Sequence, residues 1–124
     1  MKVLLSLMAS LFLTICCSSR PEPKILIGKY SFSAAPNQDS LFLNTNNTYK
    51  HKFSTGNGQI FEASGVWEYD SINQEILFKD FVFFNNSGSS ELPPGNWYSK
   101  VNLTNNGEVR LMYSSEDNVY YLKR

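Results

Sequence analysis

From residue 28 onward, apolar and polar residues alternate in short runs that are separated by turn-forming residues. In "TYKHKFS", residues 48–54, Tyr49, His51 and Phe53 fall on one face, and Lys50 and Lys52 fall on the other. A period of two is typical of β-strands with one buried face. After residue 24 the sequence shows no helical periodicity, so the pattern predicts an all-β domain.

The chain contains about eight such strand-like runs. We predict strands at 28–34, 40–44, 48–54, 59–70, 75–84, 97–103, 109–114 and 119–123. Most connections are short and rich in Asn and Gly, which tolerate left-handed backbone. The longest, residues 85–96, contains Pro93 and Pro94, which disfavour a paired strand. The pattern therefore predicts an antiparallel meander that forms a closed or nearly closed barrel, in which few edges stay exposed.

The face that alternation assigns to the interior is crowded with large side chains. They are Tyr49, Phe53, Phe61, Trp67, Tyr69, Trp97, Val101, Leu103, Leu111, Tyr113 and Tyr121. An eight-stranded barrel has an interior just wide enough for its own side chains, so we expect little room for a ligand. Asp80 falls on the same face as Ile76 and Phe78, where a carboxylate would need a buried partner.

The first residues have a pattern that is typical of a targeting segment. Met1 and Lys2 precede an uncharged run, residues 3–15, which is too short to span a bilayer because spanning takes about 20 residues. A basic start followed by a short apolar run predicts a signal peptide over residues 1–16. Residues 17–24 then form a polar, proline-containing tether, and residues 25–124 form the β-barrel domain.

The two cysteines, Cys16 and Cys17, are adjacent at the end of the apolar run. A disulfide between neighbours would be strained, and a metal site would need more ligands than the single His51 adds. The stretch resembles a bacterial lipobox, in which a cysteine is diacylated. We expect lipidation of Cys17, which follows a small residue; the alternative is Cys16, which follows Ile15. Simple secretion after cleavage at Ser19 is the competing interpretation.

The segment "DSLFLNTNNTYKHKF … ASGVWEYDSINQEILF" resembles small bacterial lipocalin-like, calycin-type lipoproteins. The matching residues are Asp39, Leu41, Leu43, Thr48, Tyr49, Gly65, Trp67, Ile76 and Leu77. The stretch is similar in part to the amino-terminal domain of the envelope-stress copper-resistance lipoprotein. That family carries a C-x-x-C pair which is missing here, so its metal or redox role is not carried over. The resemblance implies a lipocalin-like barrel in the bacterial envelope.

Charge and candidate chemistry exclude several function classes. The chain has 11 basic and 11 acidic residues, so it lacks the positive net charge that would attract nucleic acid. His51 is its single histidine, expected in the core or at the rim, and no triad, phosphate loop or zinc motif is present. We therefore expect no enzyme, no cofactor and no metal.

The expected function is binding without turnover. Leu92, in the long connection, and the neighbouring Trp97 and Tyr98 suit contacts with a protein, because aromatic anchors among flexible polar residues favour such contacts. The sequence thus predicts a lipid-anchored binding lipoprotein of inhibitor, immunity or accessory type. We expect it on the outer membrane facing the periplasm, with an envelope protein as its partner. The alternative is a lipocalin-like carrier of a small apolar or amphipathic ligand.

Overall fold

A computed structural model describes residues 22–34, 36–84, 93–114, 116 and 118–124 of the chain. The described part contains one helical turn, α1 (Pro23–Leu26), and eight strands. The strands are β1 (Gly28–Ala34), β2 (Asn37–Leu43), β3 (Thr48–Ser54), β4 (Ile60–Asp70), β5 (Glu75–Phe81), β6 (Gly95–Leu103), β7 (Val109–Ser114) and β8 (Val119–Lys123).

The strands form a closed antiparallel barrel in which each strand pairs with its neighbours in the sequence. The barrel closes where β1 meets β8, with Tyr30 opposite Lys123 and Ser31 opposite Leu122. This arrangement confirms the predicted all-β meander. Closure pairs each of the eight described strands on both sides, which is how small β-barrels avoid association through their edges.

Side chains of β3 and β4 alternate between interior and exterior as predicted. Tyr49, His51 and Phe53 are buried, and Lys50 is exposed on the outer face. The buried core combines aromatic and aliphatic side chains from all eight strands and from α1. Its members are Leu26, Tyr30, Leu41, Leu43, Tyr49, Trp67, Ile76, Phe78, Phe81, Val101, Val109, Leu111 and Tyr121.

Strand β5 ends earlier than predicted because it contains a β-bulge. Its register against β6 shifts between Phe78 and Phe81, and Asp80 has a left-handed backbone with φ of 55°. The extra residue turns both Phe78 and Phe81 inward and leaves Asp80 exposed. The prediction that Asp80 faces the interior was therefore wrong, since alternation with a period of two holds only while a strand stays regular.

The helical turn α1, which the sequence pattern did not predict, covers one end of the barrel. Leu26 is fully buried, and its carbonyl oxygen accepts a hydrogen bond of 2.6 Å from the hydroxyl of Tyr30. The Nζ of Lys123 donates to the carbonyl oxygen of Ile25. These two side chains satisfy carbonyls at the carboxyl end of α1 and hold it on the barrel.

The topology gives the barrel two distinct ends. The helix end contains α1, the turns 44–47, 71–74 and 104–108, and the end of β8. The loop end lies opposite, where β1 passes to β2, β3 to β4, β5 to β6 and β7 to β8. The chain that precedes α1 therefore joins the barrel at the helix end, and the long connection between β5 and β6 leaves and re-enters at the loop end.

Candidate functional site at the loop end

A buried polar network lies inside the barrel toward the loop end. Nε2 of His51 lies 2.7 Å from Oδ1 of Asp39, and the hydroxyl of Tyr121 donates to the same oxygen over 2.6 Å. Asp39 comes from β2, His51 from β3 and Tyr121 from β8, and their exposed fractions are only 4%, 1% and 0%. Burial at this level is tolerated because Oδ1 of Asp39, both ring nitrogens of His51 and the Tyr121 hydroxyl all have hydrogen-bond partners.

The geometry of this network defines how many protons it holds. Nδ1 of His51 lies 2.9 Å from the carbonyl oxygen of Val82, which can only accept a hydrogen bond, so Nδ1 carries a proton. A second proton lies between Nε2 of His51 and Oδ1 of Asp39. Asp39 and His51 therefore hold two protons between them and are neutral as a pair, which avoids the cost of an uncompensated buried charge.

Two tyrosine hydroxyls border this pair. Burial is the main cause that raises the pKa of Tyr121 well above its ordinary value, and the nearby Asp39 adds to it. Burial also raises the pKa of Tyr113, with Asp39 as the second cause. Both hydroxyls therefore stay protonated, and that of Tyr121 donates to Asp39.

The strap, residues 82–84, follows β5 and runs along the network. His51 holds its first residue through the Val82 carbonyl, and the ring of Phe84 lies 5.1 Å from the His51 ring, centroid to centroid. Phe84 also lies 5.9 Å from Phe53 and 6.0 Å from Phe61. The strap is thus tied to the inner wall of β3 and β4 by one hydrogen bond and three ring contacts.

Partly buried aromatic rings surround the strap and form what we call the aromatic mouth: Phe32, Phe83, Trp97 and Tyr113. Phe83, the middle residue of the strap, packs edge-on against Phe81 at 4.8 Å and against Trp97 at 5.6 Å. Phe32 lies 5.1 Å from Tyr113. The mouth is apolar apart from the Tyr113 hydroxyl and the Trp97 indole, and it lies above the buried network.

The structure separates the predicted binding residues. Trp97 points inward, 4.5 Å from Phe81 and 5.1 Å from Phe78, centroid to centroid, whereas Tyr98 points outward and is 59% exposed. Leu92 lies outside the described residues, as do Cys16 and Cys17. Trp97 therefore belongs to the aromatic mouth, and Tyr98 belongs to the outer wall of the barrel, on the side of the turn 71–74 at the helix end.

The outer wall around Tyr98 is apolar but bordered by ion pairs. Tyr98 lies opposite Leu77 of β5 in the sheet register. A depression beside Tyr98, of about 220 Å³, is also lined by Glu68, Asp70 and Glu75. These carboxylates have partners: Glu68 pairs with Lys79 at 2.9 Å, Glu75 pairs with Lys100 at 3.2 Å, and Asp70 binds the backbone of its own turn.

Asp39 was not singled out as a polar core residue from the sequence, although a signal was present. In "DSLFL" it shares a face with Leu41 and Leu43, both buried here, so alternation alone places the carboxylate inside. Its partners could not be found in this way. His51 lies 12 residues away in the sequence and Tyr121 lies 82 residues away, so the contacts depend on the register and on closure of the barrel.

The site offers hydrogen bonds and aromatic surface rather than a reaction centre. Within the described part of the chain, no group of His, Cys, Asp or Glu side chains could hold a metal ion. No helix among the described residues is long and apolar enough to cross a membrane. No protein-family model matches the chain, and neither the curated proteins nor the solved structures contain a match.

Proposed function

We propose that this chain is a membrane-anchored, non-catalytic binding lipoprotein of the bacterial envelope that contacts a protein partner through its loop end. The partner is an envelope protein, and the action is of inhibitor, immunity or accessory type. The anchor is a lipid on Cys17, or on Cys16 if the neighbouring cysteine is modified. The proposed location is the outer membrane, facing the periplasm; secretion after signal cleavage is the alternative.

The topology of the barrel is the observation that carries this proposal. The segment with the two cysteines precedes α1 and so joins the barrel at the helix end. A lipid on that segment would place the helix end toward the membrane. The loop end would lie about 15 Å farther out, since a six- or seven-residue strand is about 20 Å long and is tilted by about 40° in a barrel. The long connection and the start of β6 at Gly95 would then face away from the bilayer, where a protein can reach them.

The packing of the barrel interior supports surface binding over ligand transport. In the described interior, Tyr49 contacts Phe78 at 5.2 Å and Phe78 contacts Trp97 at 5.1 Å, so aromatic rings fill the centre in mutual contact. Interiors packed in this way contain few voids larger than a water molecule. Binding is therefore more favourable at the outer surface and the rim than in the middle of the barrel.

One observation favours the lipocalin-like carrier as a second candidate. The rings of the aromatic mouth are only partly buried and contact one another, so they offer apolar surface to solvent. A small apolar or amphipathic ligand could bind there if Phe83 moved aside. Pockets for such ligands are mainly lined by apolar and aromatic side chains with a few polar groups.

Single substitutions at the predicted binding residues test the proposal. Tyr98→Ala and Leu92→Ala should each weaken capture of the envelope partner by the full-length lipoprotein, by about fivefold or more for at least one of them. Ile72→Ala is the matched control, because Ile72 is 77% exposed and lies in a turn at the helix end. Trp97→Phe is tested separately, since Trp97 also packs in the mouth.

Folding of each variant is checked by circular dichroism, and an apolar fluorescent probe is titrated in parallel. The proposal fails if Tyr98, Leu92 and Trp97 variants all capture the partner as the parent does. Saturable binding of the probe that Phe83→Ala strengthens would instead favour the carrier.

A further inference from the structure

The hydrogen bond between His51 and Val82 links the protonation of a buried histidine to the position of the strap. Val82 offers His51 only a backbone carbonyl, which cannot donate, so this bond exists only while Nδ1 carries a proton. On the other side, Nε2 faces Asp39 over 2.7 Å. His51 thus makes hydrogen bonds at both ring nitrogens, one to the barrel wall and one to the strap.

Removing one proton from the Asp39–His51 pair would force a choice between these two bonds. The pair would then consist of a carboxylate and a neutral imidazole with a single N–H. A carboxylate is a stronger acceptor than a peptide carbonyl, so Nε2 would keep the proton and donate to Asp39. Nδ1 would then present a lone pair to the Val82 carbonyl oxygen, and the contact at 2.9 Å would become repulsive.

We propose that His51 is a proton-dependent latch: its doubly protonated ring holds the strap against the barrel wall, and loss of one proton releases it. The ring contacts of Phe84 with His51, Phe53 and Phe61 are the second part of the closed state. These ring contacts hold the strap along the inner wall of β3 and β4. Release would separate the Phe84 and His51 rings, so the distance between these two rings distinguishes the open state from the closed state.

The groups that face His51 are compatible with such a latch. Asp39 of β2 and Tyr121 of β8 contact it directly, with the Tyr121 hydroxyl 3.4 Å from Nε2. On β7, Tyr113 stays protonated because burial and Asp39 raise its pKa. β4 places the uncharged Ala63 opposite His51, and the strap contributes a backbone carbonyl and the Phe84 ring. Among these described neighbours, Asp39 supplies the one carboxyl group that contacts His51.

Release of the strap would uncover the aromatic mouth. In the closed state Phe83 lies edge-on against Trp97 at 5.6 Å and faces Tyr113 at 6.0 Å. Moving residues 82–84 away would expose these rings. The effect on partner capture rests on the proposed function, whereas the latch itself does not need a partner and is tested without one.

The latch is tested by NMR on the full mature chain, in which His51 is the single histidine and gives unambiguous ring signals. In the parent protein we expect two slowly exchanging ring N–H protons and strong NOEs between the His51 and Phe84 rings. As the pH is raised, loss of the Nδ1 proton should coincide with a shift of the Val82 carbonyl carbon and loss of those NOEs.

Asp39→Asn supplies the matched variant, because it keeps the shape of the side chain while its amide nitrogen can donate to Nε2, which leaves the ring proton on Nδ1 for the Val82 carbonyl. It should show one ring N–H signal, on Nδ1, and it should keep its His51–Phe84 NOEs at the pH where the parent has lost them. Glu62→Gln is the control, since Glu62 lies on the outer face of β4 and pairs with Lys50. Its spectra should match those of the parent.

Two results would overturn the latch. One is a parent protein in which His51 is neutral, with a single ring N–H, while the strap signals are those of the closed state. The other is loss of the Nδ1 proton at high pH without any change at Val82 or Phe84. If Asp39→Asn does not fold, the pH titration of the parent decides alone. Partner capture that is insensitive to loop-end substitutions would contradict the proposed function and leave both spectroscopic results unaffected.

Discussion

Replacing Gly65 by alanine should destabilise the barrel, because the space over this glycine is occupied by Tyr49. A methyl group at Gly65 would lie 2.5 Å from the carbonyl oxygen of Lys79 and 2.8 Å from the Tyr49 hydroxyl oxygen. These two atoms share a hydrogen bond of 2.6 Å that joins β3 to β5 across β4. The methyl group therefore meets a backbone carbonyl and a buried ring, neither of which can move aside freely.

The expected size follows from three contributions. Overpacking in a filled core costs about 1–3 kcal/mol, and weakening the Tyr49 hydrogen bond adds about 1 kcal/mol. Replacing glycine lowers the entropy of the unfolded chain, which offsets about 0.4–1 kcal/mol. We therefore predict a loss of about 2–3 kcal/mol for Gly65→Ala.

Urea denaturation followed by tryptophan fluorescence measures this loss, with an unchanged slope as the check on two-state unfolding. Gly95→Ala is the matched control, because Gly95 also lies in a strand and a methyl group there would meet no atom within 4 Å. It should be neutral or slightly stabilising. If Gly65→Ala falls within about 0.5 kcal/mol of Gly95→Ala, the packing of Tyr49 over Gly65 is wrong.

Trp67 is 3% exposed, and its Nε1 donates to the Asn44 carbonyl oxygen at 3.3 Å. Trp67→Ala should therefore lower the free energy of unfolding, measured by urea denaturation, by about 3–5 kcal/mol. A loss below about 1 kcal/mol would place the ring on the surface. Burial, and secondarily Asp80, raises the pKa of Tyr49 to about 12 from its ordinary value of 10.0. The Tyr49 hydroxyl loses its proton at a lower pH in the unfolded chain than in the folded protein, so the free energy of unfolding should fall as pH rises from 10 to 12. The fall should be less steep in Tyr49→Phe. Equal pH dependence of the free energy of unfolding in the parent and in Tyr49→Phe would contradict this prediction. Cys17→Ser should move the protein from the membrane to the soluble fraction while Cys16→Ser does not, as cell fractionation can show; release by Cys16→Ser alone would reassign the anchor.

Much of the fold could be predicted from alternation and turn residues. The predicted limits of β1, β3, β7 and β8 agree with the structure, because apolar residues repeat every second position there. The turns were visible because they carry residues that accept a left-handed backbone: Asn47, Gly58 and Gly107 have φ of 62°, 88° and 80°. A meander with short turns then leaves few topologies other than a barrel.

The features that were missed are those that break a local pattern or join distant parts of the chain. The bulge at Asp80 adds one residue to β5, and the alternation of apolar and polar residues in the sequence does not reveal it. α1 has four residues, too few for helical periodicity to appear. β2 begins at Asn37 rather than residue 40, since its first residues are polar.

The candidate site was predictable only in its parts. An inward His51 followed from its place between Tyr49 and Phe53, and the structure confirms that it is in the core. The opposite directions of Trp97 and Tyr98 also follow from alternation in β6. The contact between His51 and Val82 did not, because it depends on where the chain turns after the bulge in β5.

Site-specific photocrosslinking in living cells tests the central claim most directly. A photoreactive benzoylphenylalanine is placed at Ile60, the first residue of β4 at the loop end, or at Ile72, in a turn at the helix end; both side chains are exposed, by 55% and 77%. We predict a crosslinked protein adduct from position 60 and none from position 72. Adducts from position 72 with none from position 60 would contradict the proposed function.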